Sequence, residues 1–469
     1  MSTLVSLLAG SGMAGKRTPT RFRGRKWLGA NQFRPRNRHD REIARLAVPA
    51  FAALIVEPLY ILCDTAVVGH LGTPQLGGLA VASSILLTLY AVFIFLAYGT
   101  TAAVSRLLGA GDQREAAHQA VQSLWLAGMI GVAVTAVGLV AAEPLVRLLG
   151  AEGAVAANAL VFLRISLFGV PAMLTVLAGT GYLRGLQDTR TPLVVAAATA
   201  AGNLALELVL IYGLDQGIGA SALTTVLAQT AAALVYLRLI GRDARGRGVP
   251  LAPHPASLGA LARVGRDLLI RTAALRAALV VAAAVATRIG PVDIAAHQVA
   301  FEIWSFLAFA LDAVAIAGQA LVGRALGAGD APEARGASRR MIEWGIALGV
   351  GVGVVVLATR TLLPHIFTGD PAVVDLAAFL LVWVAALQPV NAVAFVLDGV
   401  LIGAGDMAFL ARAMVLSTAV YLPAALAVAV LGLGIGWLWA AIALFMATRA
   451  ATLVVRFAGD SWVVLGRES

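Results

Sequence analysis

Glu57 and Asp64 stand seven residues apart in one apolar stretch, with Tyr60 between them, and Asn203 and Glu207 stand four apart in another. At about 100° per helical residue, each set falls on one helix face. An acid at mid-bilayer costs about 2.5–3.5 kcal/mol on insertion scales, so each needs a reason to be there. Two carboxylates drawn together out of water repel, and they can hold one proton between them. Such pairs serve as proton or cation sites. The plainer reading is that these acids face a wet cavity and keep it polar. Nothing with the spacing of a Ser/His or paired-Asp catalytic constellation appears. The single cysteine, Cys63, permits neither an internal disulfide nor a Cys-based metal cluster. No enzyme is expected, and no cofactor or metal centre is implied.

The stretches that carry these acids belong to a membrane chain. Of 469 residues, 60% are apolar and 13% are charged, and the mean hydropathy is +0.88. A soluble domain needs about 25% charge to solvate its surface. Apolar runs long enough to cross a bilayer recur along the sequence. Twelve spans are expected near 43–67, 76–105, 118–142, 155–180, 192–213, 217–240, 266–288, 293–322, 338–363, 373–401, 408–431 and 434–457. Asp64 lies about five residues before Gly69 in span 1, and Glu207 about six before Gly213 in span 5. Both spans run the same way, so the two acids share nearly the same depth at about 1.5 Å per residue.

The isoelectric point near 10.5 does not mark a nucleic-acid binder. Residues 1–41 hold ten Lys/Arg and one acid, Asp40, so that tail carries +9 of the net +10. No basic face with interleaved aromatics remains elsewhere. The tail reads as a disordered segment that touches anionic lipid. With the N-terminus inside, cytoplasmic connections hold 15 Arg and external ones only Arg147, Arg288 and Arg360. Both termini are therefore expected in the cytoplasm.

The halves repeat. Val104-Ser105-Arg106-Leu107-Leu108-Gly109-Ala110-Gly111-Asp112 returns as Val322-Gly323-Arg324-Ala325-Leu326-Gly327-Ala328-Gly329-Asp330, at an offset of 218. At that offset Gly181-x-Leu183-x-Gly185-x-x-Asp188 returns as Gly399-x-Leu401-x-Gly403-x-x-Asp406, and Pro171 falls on Pro389. An ungapped match over more than 100 residues means duplication. Six crossings per copy is even, so the copies share one orientation about an axis along the membrane normal. The repeated glycines and Asp112 or Asp330 read as helix–cap–helix corners, with Glu115 and Glu333 completing each cap. No Walker Lys-Ser/Thr follows them, so the chain carries no ATPase motor.

The expected fold is an all-α polytopic membrane protein, twelve transmembrane helices in two six-helix bundles related by a pseudo-twofold axis along the membrane normal. Its parts are a basic tail (1–41), a first bundle (42–241), a linker (242–265), a second bundle (266–457) and a C-terminal tail (458–469). In the second bundle, Glu302, Asp312 and Asp398 are the membrane-embedded acids, with Arg271 and Arg276 as candidate partners. Glu302 and Asp312, ten residues apart, are about 80° off a common face. Together with Glu57, the acids Glu302, Asp312 and Asp398 and Arg271 are candidates to line a substrate cavity. His297 reads as an interfacial residue.

These residues resemble a known family, the multidrug and toxic compound extrusion (MATE) transporters, in their DinF-like branch. The resemblance covers residues 41–457. It rests on Val48-Pro49 and on Glu57-Pro58-Leu59-Tyr60-x-x-x-Asp64-Thr65-x-x-x-Gly69 in span 1. Arg184-Gly185-x-x-Asp188-Thr189-x-Thr191-Pro192, Asn203-x-x-x-Glu207 with Thr225-Val226, and Ile303-Trp304-Ser305-Phe306 through Leu311-Asp312 to Gly323 complete it. The resemblance implies a V-shaped pair of bundles that exports amphipathic, often cationic, compounds by alternating access against inward H⁺ or Na⁺. It implies that Asp64, Tyr60, Asn203, Glu207 and Thr225 form the coupling cluster. Na⁺ at Asp64, Asn203, Glu207 and Thr225 is the alternative to a proton. Pro49 matches a proline at which span 1 can bend. Prokaryotic relatives often carry Asp where this chain has Glu207, which bears more on Na⁺ geometry than on protonation. A lipid-linked-oligosaccharide flippase of the same superfamily is the alternative, although such proteins tend to carry a basic cavity. The expected setting is the plasma membrane of a bacterium, given 33 Arg against two Lys, with the chain as a monomer, the bilayer and small organic molecules as its partners, and no nucleic acid.

Overall fold

Long apolar runs punctuated by glycine, proline and Asp caps fold into helices and almost nothing else. The computed structural model describes residues 38–214 and 216–466. The expected tail lies outside the described residues, except that Arg38 already opens a helix. The first bundle holds α1 (Arg38–Gly69), α2 (Thr73–Phe93), α3 (Phe95–Gly109), α4 (Gln113–Leu148), α5 (Gly153–Leu167), α6 (Val170–Gly185), α7 (Arg190–Leu208) and α8 (Ile218–Gly246). The second holds α9 (Pro255–Ile289), α10 (Pro291–Gly327), α11 (Ala331–Thr359), α12 (Pro371–Gly403), α13 (Met407–Val430) and α14 (Ile435–Ala458). Among the described residues, 11 helical segments could cross a membrane, and α5 with α6, bent by 51°, makes the twelfth. The expected linker is shorter than the sequence suggests, since α8 runs to Gly246 and α9 begins at Pro255.

The duplication is visible in side-chain detail. Asp112 Oδ1 accepts the Glu115 N–H at 3.1 Å, and Asp330 Oδ1 accepts the Glu333 N–H at 2.9 Å. Gly111 and Gly329, just before these caps, both take φ 77°. Within each bundle two helices cross on repeated glycines. A Cβ on Gly181 would lie 2.5 Å from the Ala97 carbonyl, and one on Gly399 would lie 2.3 Å from that of Ala315. Both pairs obey the 218-residue offset. The copies differ at their shared proline. Pro171 opens α6 beside the bend, whereas Pro389 sits inside the unbroken α12.

The bundles meet at the face that carries the two corners. A Cβ on Gly109 would strike the Arg324 carbonyl, and one on Gly327 the Arg106 carbonyl, each at 1.9 Å. The contact is reciprocal, so the pseudo-twofold axis passes between the two glycines. The buried Arg106 guanidinium donates to the carbonyls of Ala404 (2.8 Å) and Val464 (2.7 Å). Its counterpart Arg324 donates to Gln187 Oε1 at 2.8 Å. Gln187 stands at φ 63°, unusual for a residue with a Cβ, where the other copy has Gly405. That strained glutamine places its amide against the opposite bundle.

Helix α1 belongs to both bundles. At its first turn Asp40 takes two hydrogen bonds from Arg340 on α11, at 2.6 and 3.0 Å, and one from Trp344 Nε1 at 2.9 Å. Near its far end it is held by α8 of the first bundle, through Tyr60 to Thr225 and Asp64 to Ser221, both at 2.7 Å. Between Phe51 and Cys63 none of its residues is buried. Pro49 and Pro58 both lie inside the helix, between the two attachments.

Candidate functional site

A cavity of about 410 Å³ opens inside the first bundle, walled by α1, α2, α3, α5, α6, α7 and α8 and closed on one side by Phe309, Asp312 and Ile316 of α10. Helix α1 supplies Glu57, Tyr60 and Asp64 to it, the three residues its spacing puts on one face. Asn203 and Thr225 line it as well. Tyr90 of α2 stands beside Glu57.

Behind this wall lies the acid pair. Asp64, Asn203 and Glu207 are all buried, and Glu207 has no exposed surface at all. Glu207 stands next to Asp64 and Ser221. Ser221 donates its hydroxyl to Asp64 Oδ1 at 2.7 Å, and Thr225 shares a hydrogen bond with Tyr60 while donating to the Ser221 carbonyl at 3.1 Å. Neither oxygen of Glu207, nor Asn203 Oδ1, meets a donor among the described residues. Two acceptor-only groups facing each other in a buried site need a proton between them or a cation beside them. The donor set of carboxylate, amide and hydroxyl oxygens suits a proton or a small hard cation equally in its chemistry. Directly after Glu207 the helix widens into a π turn, Val209–Gly213, from which Tyr212 donates to the Val67 carbonyl at 3.2 Å. Such turns are frequent at functional sites.

The second bundle treats its acids differently. Asp398 on α12 is buried and paired with Arg271 on α9 and Arg449 on α14, both to Oδ2. Arg449 also lies over the Phe395 ring, 5.0 Å from its centroid. Asp398 and Arg271 therefore do not line the cavity, as the sequence suggested they could; they pin three helices together. Glu302 is exposed on α10, away from the cavity, because the face of α10 that lines it carries Phe309, Asp312 and Ile316. Of the second-bundle candidates only Asp312 reaches the cavity. His297 is buried against Phe301 and Trp439 and is not interfacial, since it sits nearly two turns into α10 on the side facing α14.

Sequence reasoning missed Ser221, Tyr90 and Arg449. Arg449 carried a signal, an ionisable residue in the middle of an apolar span. Ser221 carried one too, one turn before Thr225 on the same face. The placement of Tyr90 beside Glu57 had none.

The MatE family model matches residues 49–212 and 276–425. The chain is 31% identical to Protein DETOXIFICATION 44, chloroplastic, of Arabidopsis thaliana, over 87% of this chain and 80% of that one. It is 29% identical to DNA damage-inducible protein F of Escherichia coli, over 88% and 91% of the two chains. A crystal structure described as MATE in the bent conformation superposes with a TM-score of 0.82 at 21% identity, covering 90% of this chain and 95% of that one.

Proposed function

Because the chain belongs to the MatE family and is thus a membrane transporter and not an enzyme, we propose that it exports amphipathic or cationic organic compounds in exchange for protons. The observation that supports this reading is the buried Asp64–Glu207 pair, two acceptors whose only donor among the described residues is the Ser221 hydroxyl. A pair so placed binds a proton readily and sits next to the cavity that would take the substrate. Tyr60, Asn203 and Thr225 orient the pair. Glu57 and Asp312 give the cavity the negative charge that attracts a cation. The even number of crossings and the clustering of Arg on one face favour cytoplasmic termini in a bacterial plasma membrane, with the closed face inside. The chain would work as a monomer, since one chain supplies both walls of the cavity.

Alternating access then requires the closed face to open while the far side shuts. Protonation of the pair removes the repulsion between α1 and α7. Pro49, which cannot donate a helical hydrogen bond, gives α1 a point at which to bend in response. Purified protein in liposomes tests the proposal. A pH gradient without Na⁺ should drive accumulation of a fluorescent cation, and a Na⁺ gradient at equal pH should not. Accumulation with Na⁺ alone would transfer the role to Na⁺ at the same oxygens.

A further inference from the structure

Arg184 ends α6 at the floor of the cavity, and its guanidinium has no hydrogen bond or ion pair among the described residues. An unpaired cation in a membrane protein is costly, so the reason for its presence matters. Asp312 of α10, which lies within electrostatic range across the cavity, answers first to Arg271 and Arg449. The nearest acid along the chain, Asp188, four residues on, already accepts three hydrogen bonds. Its Oδ1 accepts the N–H groups of Arg190 and Thr191, both at 3.0 Å, and its Oδ2 accepts the Thr191 hydroxyl at 2.5 Å.

The duplication shows that packing does not demand an arginine here. The second copy keeps Gly399, Leu401, Gly403 and Asp406 at the positions of Gly181, Leu183, Gly185 and Asp188, and places Ile402 at that of Arg184. Ile402 is buried. The same helix end, with the same glycine crossing and the same following Asp, is built without a cation. A helix C-terminus welcomes positive charge, but that advantage applies to both copies and explains neither the difference nor the orientation into the cavity.

Around Arg184 the cavity wall is aromatic. Tyr90, Tyr98 and Tyr236 lie within electrostatic range of it. Tyr90 also stands beside Glu57, so it is near both the cavity's cation and the acid of α1. We propose that Arg184 is a carboxylate-binding subsite, and that the cavity takes amphipathic zwitterions whose anionic end seats on Arg184 while their cationic end faces Glu57. This deepens the proposed function and rests on its reading of the cavity as the substrate site.

The test compares two probes that differ in one group, a rhodamine with a free carboxylate and its methyl ester, by fluorescence polarisation on the purified full-length protein. The wild-type chain should bind the free acid about tenfold tighter than the ester, the size expected for a charge-assisted pair in a confined site. Arg184→Gln should bring that ratio to within about twofold, and Arg184→Lys should keep most of it, since the charge survives. A wild-type ratio near one overturns the subsite, and that result needs no variant to fold. A tenfold ratio that persists in Arg184→Gln overturns it as well. If the wild-type chain exports the ester under a pH gradient while the ratio is near one, only the subsite falls. If neither dye binds, the reading of the cavity falls with it.

Discussion

The two bundles share a frame and divide the electrostatics. In the first, Asp64 and Glu207 face each other with a hydroxyl as their nearest donor, and no arginine among the described residues pairs with them. In the second, Asp398 is gripped by two guanidiniums. At the 218-residue offset Asp64 falls on Ala282 and Glu207 on Ala425, while Asp398 falls on Thr180, Arg271 on Ala53 and Arg449 on Ala231. After duplication each copy kept the glycine crossings and the caps and acquired its own charges. A buried acid that brings its counter-charges within the chain is finished when the chain folds. One that lacks them depends on something taken from solution, and that dependence is what a coupling site requires. On the proposed function the first bundle is the working half, and the second is the more rigidly pinned one.

This comparison breaks most sharply at Asp64. Asp64→Asn should reduce pH-driven uptake into liposomes to the level of empty vesicles, while the purified variant melts no earlier than wild type. Losing one of two facing acceptors relieves repulsion, so function and stability separate. Full transport by Asp64→Asn would move the coupling site out of the first bundle. The opposite signature is expected at Asp398. Asp398→Ala leaves two buried guanidiniums without their acid and should cost about 3–5 kcal/mol of stability, read as an early melt and poor yield. Adding Arg271→Met to that variant should recover part of the loss.

A smaller effect is expected when the pair is preserved but its reach is altered. Glu207→Asp shortens one side chain by a methylene and should leave transport reduced by about tenfold, consistent with about 1.4 kcal/mol of lost positioning. Glu207→Gln should lose most of it in the same assay. The smallest effect is expected outside the cavity. Glu302→Gln, on the exposed side of α10, should leave both transport and melting temperature unchanged. A clear loss there would mean that the substrate path extends beyond the first bundle.

Much of this frame is legible in the sequence because it is local or repeated. Span positions follow from apolar length, and the caps at Asp112 and Asp330 follow from Gly-x-Gly-Asp with Glu three residues later. The one-face grouping of Glu57, Tyr60 and Asp64 follows from helical periodicity alone. What periodicity leaves open is which face meets which neighbour. Glu302 and Asp398 look alike as acids in apolar spans, yet one faces outward and the other meets Arg449, 51 positions along the chain. His297 looks interfacial from its place near a helix start, yet it packs against Trp439, far away in sequence. The partition of Arg271 and Arg449 to Asp398, instead of to the cavity, depends on helix rotations that no local pattern encodes.

Under the proposed cycle, the two attachments of α1 make ionic conditions on one side of the membrane part of the machinery. From Asp40 to Asp64 the helix spans 24 residues, about 36 Å at its usual rise, and a helix does not lengthen under tension. When the bundles part at the face that joins them, either α1 bends at Pro49 or the Asp40–Arg340 clasp lets go. That clasp is partly solvent-exposed at the start of α1, where salt weakens attraction between charges. If the bundles part as proposed, the rate of opening should depend on ionic strength on that side alone, much as a latch outside a door can be eased without touching what is stored behind it.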